Sequence, residues 1–286
     1  MINEKNRIQK HFDLKASSYE SSAVLQHEVC ERMLQRLDYV ALQPQVILDA
    51  GAGTGKSVRA LMKRYKSAQL VAMDLSPAML MQTRQKSGWW RKPGLVCADA
   101  EYLPLADASV DLVFSNLMLQ WCQHEQVFAE FWRVLKPGGL LMFSTFGPDT
   151  LKELRSSWAA LDDDVHVNHF VDMHDLGDAL LAAGMAEPVM DVDMFTLTYK
   201  DAKTVMTDLK QIGANTTVNK NNRGLLTPAK FQKVIDAYES HRVNDVLPAS
   251  FEVVYGNAWK SEKNISRKNA SEFQISISDI GKIKNL

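Results

Sequence analysis

The sequence predicts an α/β fold, an open and mainly parallel sheet with helices on both faces. Three observations carry this. Short apolar runs at 46–48, 70–73, 95–98, 110–115 and 140–146 alternate with amphipathic stretches. Unbroken apolar runs suit strands buried on both faces, as in a parallel sheet. The first run ends in Asp49-Ala50-Gly51-Ala52-Gly53-Thr54-Gly55 and leads into an amphipathic segment, the strand–turn–helix opening of a βαβ unit. Finally, successive runs close on Asp49, Asp74, Asp99 and Asn116, and sheets of this kind bind ligands beyond the carboxyl ends of their strands.

The elements follow in order. Residues 4–40 read as amphipathic helix, with Val24, Leu25, Cys30, Met33, Leu34 and Leu37 at spacings of three and four. Pro44 ends that pattern, so residues 1–40 form an N-terminal helical segment. Val46–Leu48 is the first strand, and the helix after the glycines carries Val58, Leu61, Met62 and Tyr65 on one face. Leu70–Met73 is the second strand. Ser76-Pro77 opens the next helix, with proline at its first position. Leu95–Ala98 and Val110–Ser115 are the third and fourth strands. A helix around Val127–Val134 is stopped by Pro137-Gly138-Gly139, and Leu140–Phe146 is the fifth strand. Residues 149–184 are mainly helical with an irregular middle. Asp191–Tyr199 and Ser250–Tyr255 bring the sheet to seven strands. The helical stretch 200–246 between them interrupts a hairpin and is read as an inserted lid over the pocket. Residues 41–259 thus form one domain, and 260–286 a polar tail.

Composition narrows the class of function. The 286 residues are 46% hydrophobic and 23% charged, ordinary for a globular chain. Lys and Arg number 33 against 34 Asp and Glu, a balance that argues against a general nucleic-acid binder. There is no run of about 18 apolar residues and no apolar leader at the N-terminus, so neither a membrane span nor a signal peptide is expected. Cys30, Cys97 and Cys122 form no CxxC pair and no even-numbered framework, which suits a reducing cytoplasm. The sequence carries no signal of oligomeric state.

Three ligands compete for the glycine loop. A phosphate-binding loop needs Gly-x4-Gly-Lys-Ser/Thr; Gly55-Lys56-Ser57 imitates its end, but Ala50 stands where the first glycine belongs and Asp49 would repel phosphate. A dinucleotide loop needs Gly-x-Gly-x-x-Gly, and here the third glycine falls one residue early. S-adenosylmethionine carries no phosphate but a sulfonium, an ammonium and two ribose hydroxyls. An acidic strand end suits that charge. Asp74 can accept both ribose hydroxyls, Asp99 can accept from the adenine amino group, and the Ala100 N–H can meet a ring nitrogen. The ordered set Asp49-x-Gly-x-Gly-x-Gly, Asp74, Asp99, Asp111 to Asn116 and Leu135-Lys136-Pro137-Gly138-Gly139 resembles the class I methyltransferase pattern over residues 46–146.

A closer resemblance extends over roughly 11–259, to the malonyl-acyl carrier protein O-methyltransferase family. Its carriers are Tyr19, Leu25-Gln26, Ser115 through Trp121, Phe146-Gly147-Pro148-Asp149-Thr150-Leu151, Asp172 through Asp178, Arg223-Gly224-Leu225-Leu226, Leu247-Pro248 and Glu252 through Gly256. The sequence departs from the family where Asn257 replaces a histidine and Lys15 an arginine. The resemblance implies a Rossmann-like seven-strand sheet and methylation of the free carboxylate of a malonyl thioester on acyl carrier protein. It makes that ester the primer for biotin's pimelate moiety.

The candidate cofactor set is Asp49, Gly51, Gly53, Gly55, Asp74, Leu75, Asp99, Ala100 and Asn116, the last through its backbone carbonyl. On the acceptor side, Tyr19 could close over the methionine end, Gln120 with Trp121 could wall the pocket, and Arg223 could take the malonyl carboxylate bidentately. An acidic carrier protein fits the charge of residues 200–242, where eight Lys and Arg face four Asp and Glu. His166, His169, Asp172, His174 and Asp175 have metal-like composition but neither thiolate nor HExxH context, so no metal is expected. Met62, Met73, Met79 and Met81 read as core filling. Two other functions stay open: a quinone-pathway C-methyltransferase, which needs a base near Asn116 and an apolar pocket, and an assembly factor that keeps the cofactor fold without turnover.

Overall fold

The computed structural model describes residues 2–89, 91–162, 164–211 and 227–261. The N-terminal segment is three helices rather than one: α1 (Ile2–Lys15), α2 (Tyr19–Ser22) and α3 (Val24–Arg36). Then come β1 (Val46–Ala50), α4 (Lys56–Arg64), β2 (Gln69–Asp74), α5 (Pro77–Lys86), β3 (Gly94–Cys97), β4 (Val110–Asn116), α6 (His124–Val134) and β5 (Leu135–Phe146). The chain continues with α7 (Lys152–Ala159), α8 (Met173–Ala182), β6 (Met185–Tyr199), α9 (Ala202–Gln211), α10 (Pro228–Glu239) and β7 (Leu247–Lys260).

The seven strands form one sheet in the order β3-β2-β1-β4-β5-β7-β6. Neighbours from β3 to β5 are parallel, β7 runs antiparallel to β5, and β6 pairs antiparallel with β7. Tyr199 pairs with Leu247, so residues 200–246 lie between two paired antiparallel strands. Both faces are covered. Ile47, Leu112, Phe114, Leu140 and Met142 point to one core, with Val29 and Met33 of α3 and Val58 and Leu61 of α4. Leu48, Val113, Leu141 and Phe143 point to the other, with Phe128 and Phe131 of α6 and Leu176 and Leu180 of α8. This is the period-two alternation of strands, and the double burial explains why the runs are apolar without a break.

One expectation is corrected. The helix before the fifth strand covers the expected residues, but Pro137-Gly138-Gly139 is not what stops it. It ends at Val134, and β5 begins at once with Leu135. Leu135 pairs with Val110 and Leu140 with Leu112, so Pro137-Gly138-Gly139 is the bulge where the register shifts. A Cβ at Gly139 would stand 2.8 Å from the Lys136 carbonyl oxygen, and Gly138 has φ +74°. The Asp111 and Lys136 side chains serve this joint. Asp111 Oδ2 accepts from the backbone N–H of Gln45 and Val46 and from Lys136 Nζ, at 3.0, 2.8 and 3.0 Å, at the amino end of β4.

Helices α9 and α10 bury Ala202, Val205, Leu209, Ile235 and Tyr238 in the core on the α3 side. The Tyr238 hydroxyl donates to the Pro248 carbonyl at 2.8 Å. Lys203, Lys230 and Lys233 are exposed; Lys220 and Arg223 lie outside the described residues, as do residues 262–286 of the tail.

Candidate functional site

The glycine loop is bent back over the end of β2. Gly51 N–H and Ala52 N–H both donate to the Met73 carbonyl, at 2.8 and 2.9 Å. That fold requires left-handed backbone at Gly51, Gly53 and Gly55, with φ of +79°, +54° and +83°, which glycine adopts without a Cβ penalty. Space selects it too. A Cβ at Gly51 would lie 2.5 Å from Met118 Cγ and one at Gly55 2.9 Å from Thr83, while one at Gly53 would meet nothing within 4 Å. Gly53 therefore leaves open room for a ligand.

A cavity of about 670 Å³, including its open mouth, lies against this loop, within the ~300–1,000 Å³ of small-molecule sites. It sits at the carboxyl ends of β1, β2 and β4, where the strand order reverses direction, the expected place. Its wall includes Gly51, Gly53, Asp74, Leu75, Asp99, Ala100 and Asn116. Asp49 and Gly55 stand behind that wall. Asp49 is fully buried, accepts from Ser57 Oγ at 2.5 Å, and leaves Oδ1 without a partner. Burial pushes its carboxyl up to about 7, against the Ser57 hydrogen bond and reinforced by the Asp74 charge. Asp74 faces the cavity, with Oδ1 accepting from Ser76 N–H and Oδ2 from Gly53 N–H, both at 2.8 Å. Desolvation nevertheless pushes it up to about 6. The pair forms an underneutralised negative site, and such a site suits a cationic ligand. Asn116 is fixed by its side chain: Nδ2 donates to the Gln26 carbonyl at 3.1 Å and Oδ1 accepts from Ser144 Oγ at 3.0 Å.

The N-terminal helices roof the cavity. Lys5 of α1 pairs with Asp99 at 3.1 Å and Glu101 at 2.7 Å. Asp13 accepts from Ser76 Oγ at 2.5 Å at the start of α5. Ile8 and Phe12 reach the wall between these tethers. Tyr19 is placed by its neighbour Glu20, which accepts from Thr54 of the loop at 2.9 Å and pairs with Lys86 of α5 at 2.7 Å. Burial and the Asp74 charge raise the Tyr19 pKa, so the phenol stays protonated. Phe12 meets both Tyr19 and Trp121 edge to face, at 6.3 and 5.7 Å.

Those aromatics divide the first cavity from a second of about 470 Å³. Phe12, Tyr19, Leu117 and Trp121 line both. Phe146, Thr150, Leu151, Phe170 and Phe251 supply the far side of the second, with Gln26, Gln120 and Asn168 as its amides. No described residue of 200–246 lines either cavity. The structure thus brings Tyr19 and Gln120 together, while Arg223 lies outside the described residues. Lys5, Phe12, Gln26, Phe170 and Phe251 join the site without having been singled out for it by the sequence reading.

Among the histidines, His166 stacks on Trp158 at 3.8 Å and contacts Asp162 at 2.7 Å. Asp162, Asp164 and His166 have donor atoms within 4.8 Å of one another. Asp172 caps α8 through His174 N–H, the structural role expected before that helix.

Residues 48–143 match the model of the methyltransferase domain family. The malonyl-[acyl-carrier protein] O-methyltransferase of Gallionella capsiferriformans is 47% identical over 282 residues, 96% of this chain and 97% of that protein. The protein of the same name from Laribacter hongkongensis is 48% identical over 274 residues, 93% of this chain and 92% of that one. Among solved structures, the YcgJ protein of Bacillus subtilis superposes with a TM-score of 0.57 at 14% identity, covering 83% of this chain and 100% of that one. That last likeness is one of fold.

Proposed function

Because the chain belongs to the malonyl-[acyl-carrier protein] O-methyltransferase family, we propose that it methylates the free carboxylate of a malonyl thioester carried on acyl carrier protein, with S-adenosylmethionine as methyl donor. One observation carries the choice of acceptor. Among the described residues, the second cavity presents no His, Asp, Glu, Lys or Arg, and its single titratable group is the protonated Tyr19. An amine or carbon acceptor needs a base to take its proton. A carboxylate is already ionised near neutral pH, so a wall without a base is sufficient. That argument favours the malonyl reading over the quinone-pathway alternative.

The residues fit the donor. Asp74 would hold the ribose hydroxyls, Asp99 and Ala100 the adenine edge, Gly51, Gly53 and Leu75 the close contacts, and Asn116 the amino-acid end. Asp49 acts from behind, through its negative charge and its hold on Ser57. When bound, S-adenosylmethionine supplies a methyl carbon on positive sulfur: a carboxylate lone pair forms the O–C bond while the C–S pair stays on sulfur, so both charges vanish and no proton moves. Tyr19, Phe12 and Trp121 would align the two cavities and keep water out. The ester product hides one charge, which fits a primer for chain elongation. The exposed Lys203, Lys230 and Lys233 support an acidic carrier as partner.

Mass spectrometry tests the reading. Purified protein with S-adenosylmethionine is offered malonyl-carrier protein, malonyl-coenzyme A and acetyl-carrier protein. One methyl is expected on the malonyl species and none on the acetyl species. Cofactor binding without methylation of any thioester would sink the proposal and favour an assembly factor.

A further inference from the structure

Two amide oxygens in the second cavity, Gln26 Oε1 and Gln120 Oε1, are buried without a partner. Gln120 is half satisfied, since its Nε2 donates to the Leu117 carbonyl at 2.6 Å. Gln26 differs. It is 9% exposed, and its backbone carbonyl ties α3 to Asn116 at the end of β4. Its side-chain Oε1 accepts no hydrogen bond among the described residues. A buried amide in that state lowers stability, so a leucine of similar size would serve the fold better. The cost is recovered only if a ligand supplies the missing partner.

We propose that Gln26 is the residue that binds the acceptor's carboxylate, Nε2 donating to the oxygen that is not methylated. This rests on the acceptor reading above. The terminal amide can present either end by rotation, and no Lys or Arg lines the cavity among the described residues. A neutral donor has a chemical advantage here. A guanidinium gripping both carboxylate oxygens would engage the lone pairs that must attack. A single N–H fixes one oxygen and leaves the other free, with the donor's positive sulfur as counter-charge. Gln120 Oε1, an acceptor held in place by Leu117, suits an N–H of the thioester's carrier arm rather than the carboxylate.

The test uses Gln26→Leu and Gln26→Glu in the full chain, with wild type measured first. Gln26→Leu is expected to lose about 10- to 100-fold in kcat/KM for malonyl-carrier protein, the worth of a hydrogen bond to a charged group. Its S-adenosylmethionine affinity should not change, and its Tm should equal or exceed that of wild type. A structural role would lower Tm instead. Gln26→Glu sets like charges together, so it should lose more at about pH 8 and recover relative to wild type towards about pH 5.5, as the raised Glu carboxyl takes a proton and becomes a donor. Wild-type kcat/KM in both variants overturns the Gln26 assignment alone, as does a parallel loss of Tm and cofactor affinity in Gln26→Leu. No turnover by wild type overturns the acceptor reading and the assignment together.

Discussion

The two cavities share an aromatic wall yet are built on different plans. The cofactor side comes from repeated βα units: Asp49, Asp74 and Asp99 follow one another at equal intervals, each at or just past the end of a strand. Its recognition atoms are carboxylates and loop backbone. The acceptor side is gathered from α1, α2, α3, the turn after β4, the end of β5, residues 150–151, residues 168–170 and β7. Its recognition atoms are neutral amides and rings. A ligand with fixed charge is met by rigid, locally coded strand ends. The acceptor meets side chains that only the finished fold brings together.

If the division is real, variants on one side should leave the other side's constant untouched. Asp74→Ala should show the largest effect, about 100-fold weaker S-adenosylmethionine binding by calorimetry, from two lost hydrogen bonds to a charged group; the acceptor KM at saturating cofactor should hold. An acceptor KM that moved equally would dissolve the distinction.

Acid sharpens it next. Asp74 is raised to about 6, and on the proposed reading its ionised form receives the cofactor. Cofactor affinity should therefore fall about tenfold per pH unit below that value. The ligand-free protein should behave oppositely. The folded state holds protons on Asp49 and Asp74 that the unfolded chain has released, so between about pH 4 and about pH 7 these groups make stability decline as pH rises. Tm followed across that range should fall with pH in the ligand-free protein, and saturating cofactor should cancel the Asp74 share of that fall.

Phe170→Ala should give the smallest change. Phe170 lines only the second cavity and meets Phe146 edge to face at 5.5 Å. A loss of about fivefold in acceptor kcat/KM is expected from one aromatic contact, with cofactor affinity unaltered; a matching loss of cofactor affinity would count against separate sides.

The same contrast governs what could be read without coordinates. All five parallel strands and the polar residues at their ends were legible, because strand burial, loop glycines and strand-end carboxylates are each coded within a few neighbouring residues. Seven of the nine cofactor candidates line the first cavity. Asp49 and Gly55 were indistinguishable from them by spacing, since only the bend of the loop puts them behind the wall. Pro137-Gly138-Gly139 looked like a helix stop because proline and glycine mark breaks of either kind; the register against β4 makes it a bulge. The acceptor cavity was far less legible. Lys5 reaches Asp99 across 94 residues and Thr54 reaches Glu20 across 34, and no local pattern announces such pairs. Gln26 stood within a recognised stretch, but its unmet amide shows only when its surroundings are known.

The roof over the cofactor has a consequence for the order of assembly. Helix α1 precedes every strand in the chain, yet Asp99, Glu101 and Trp121, which its residues Lys5 and Phe12 hold on to, come after β3 and β4. On the ribosome this helix must wait while about a hundred residues emerge, since contacts so distant in sequence form late. Until then its Ile8 and Phe12 have no cavity to enter.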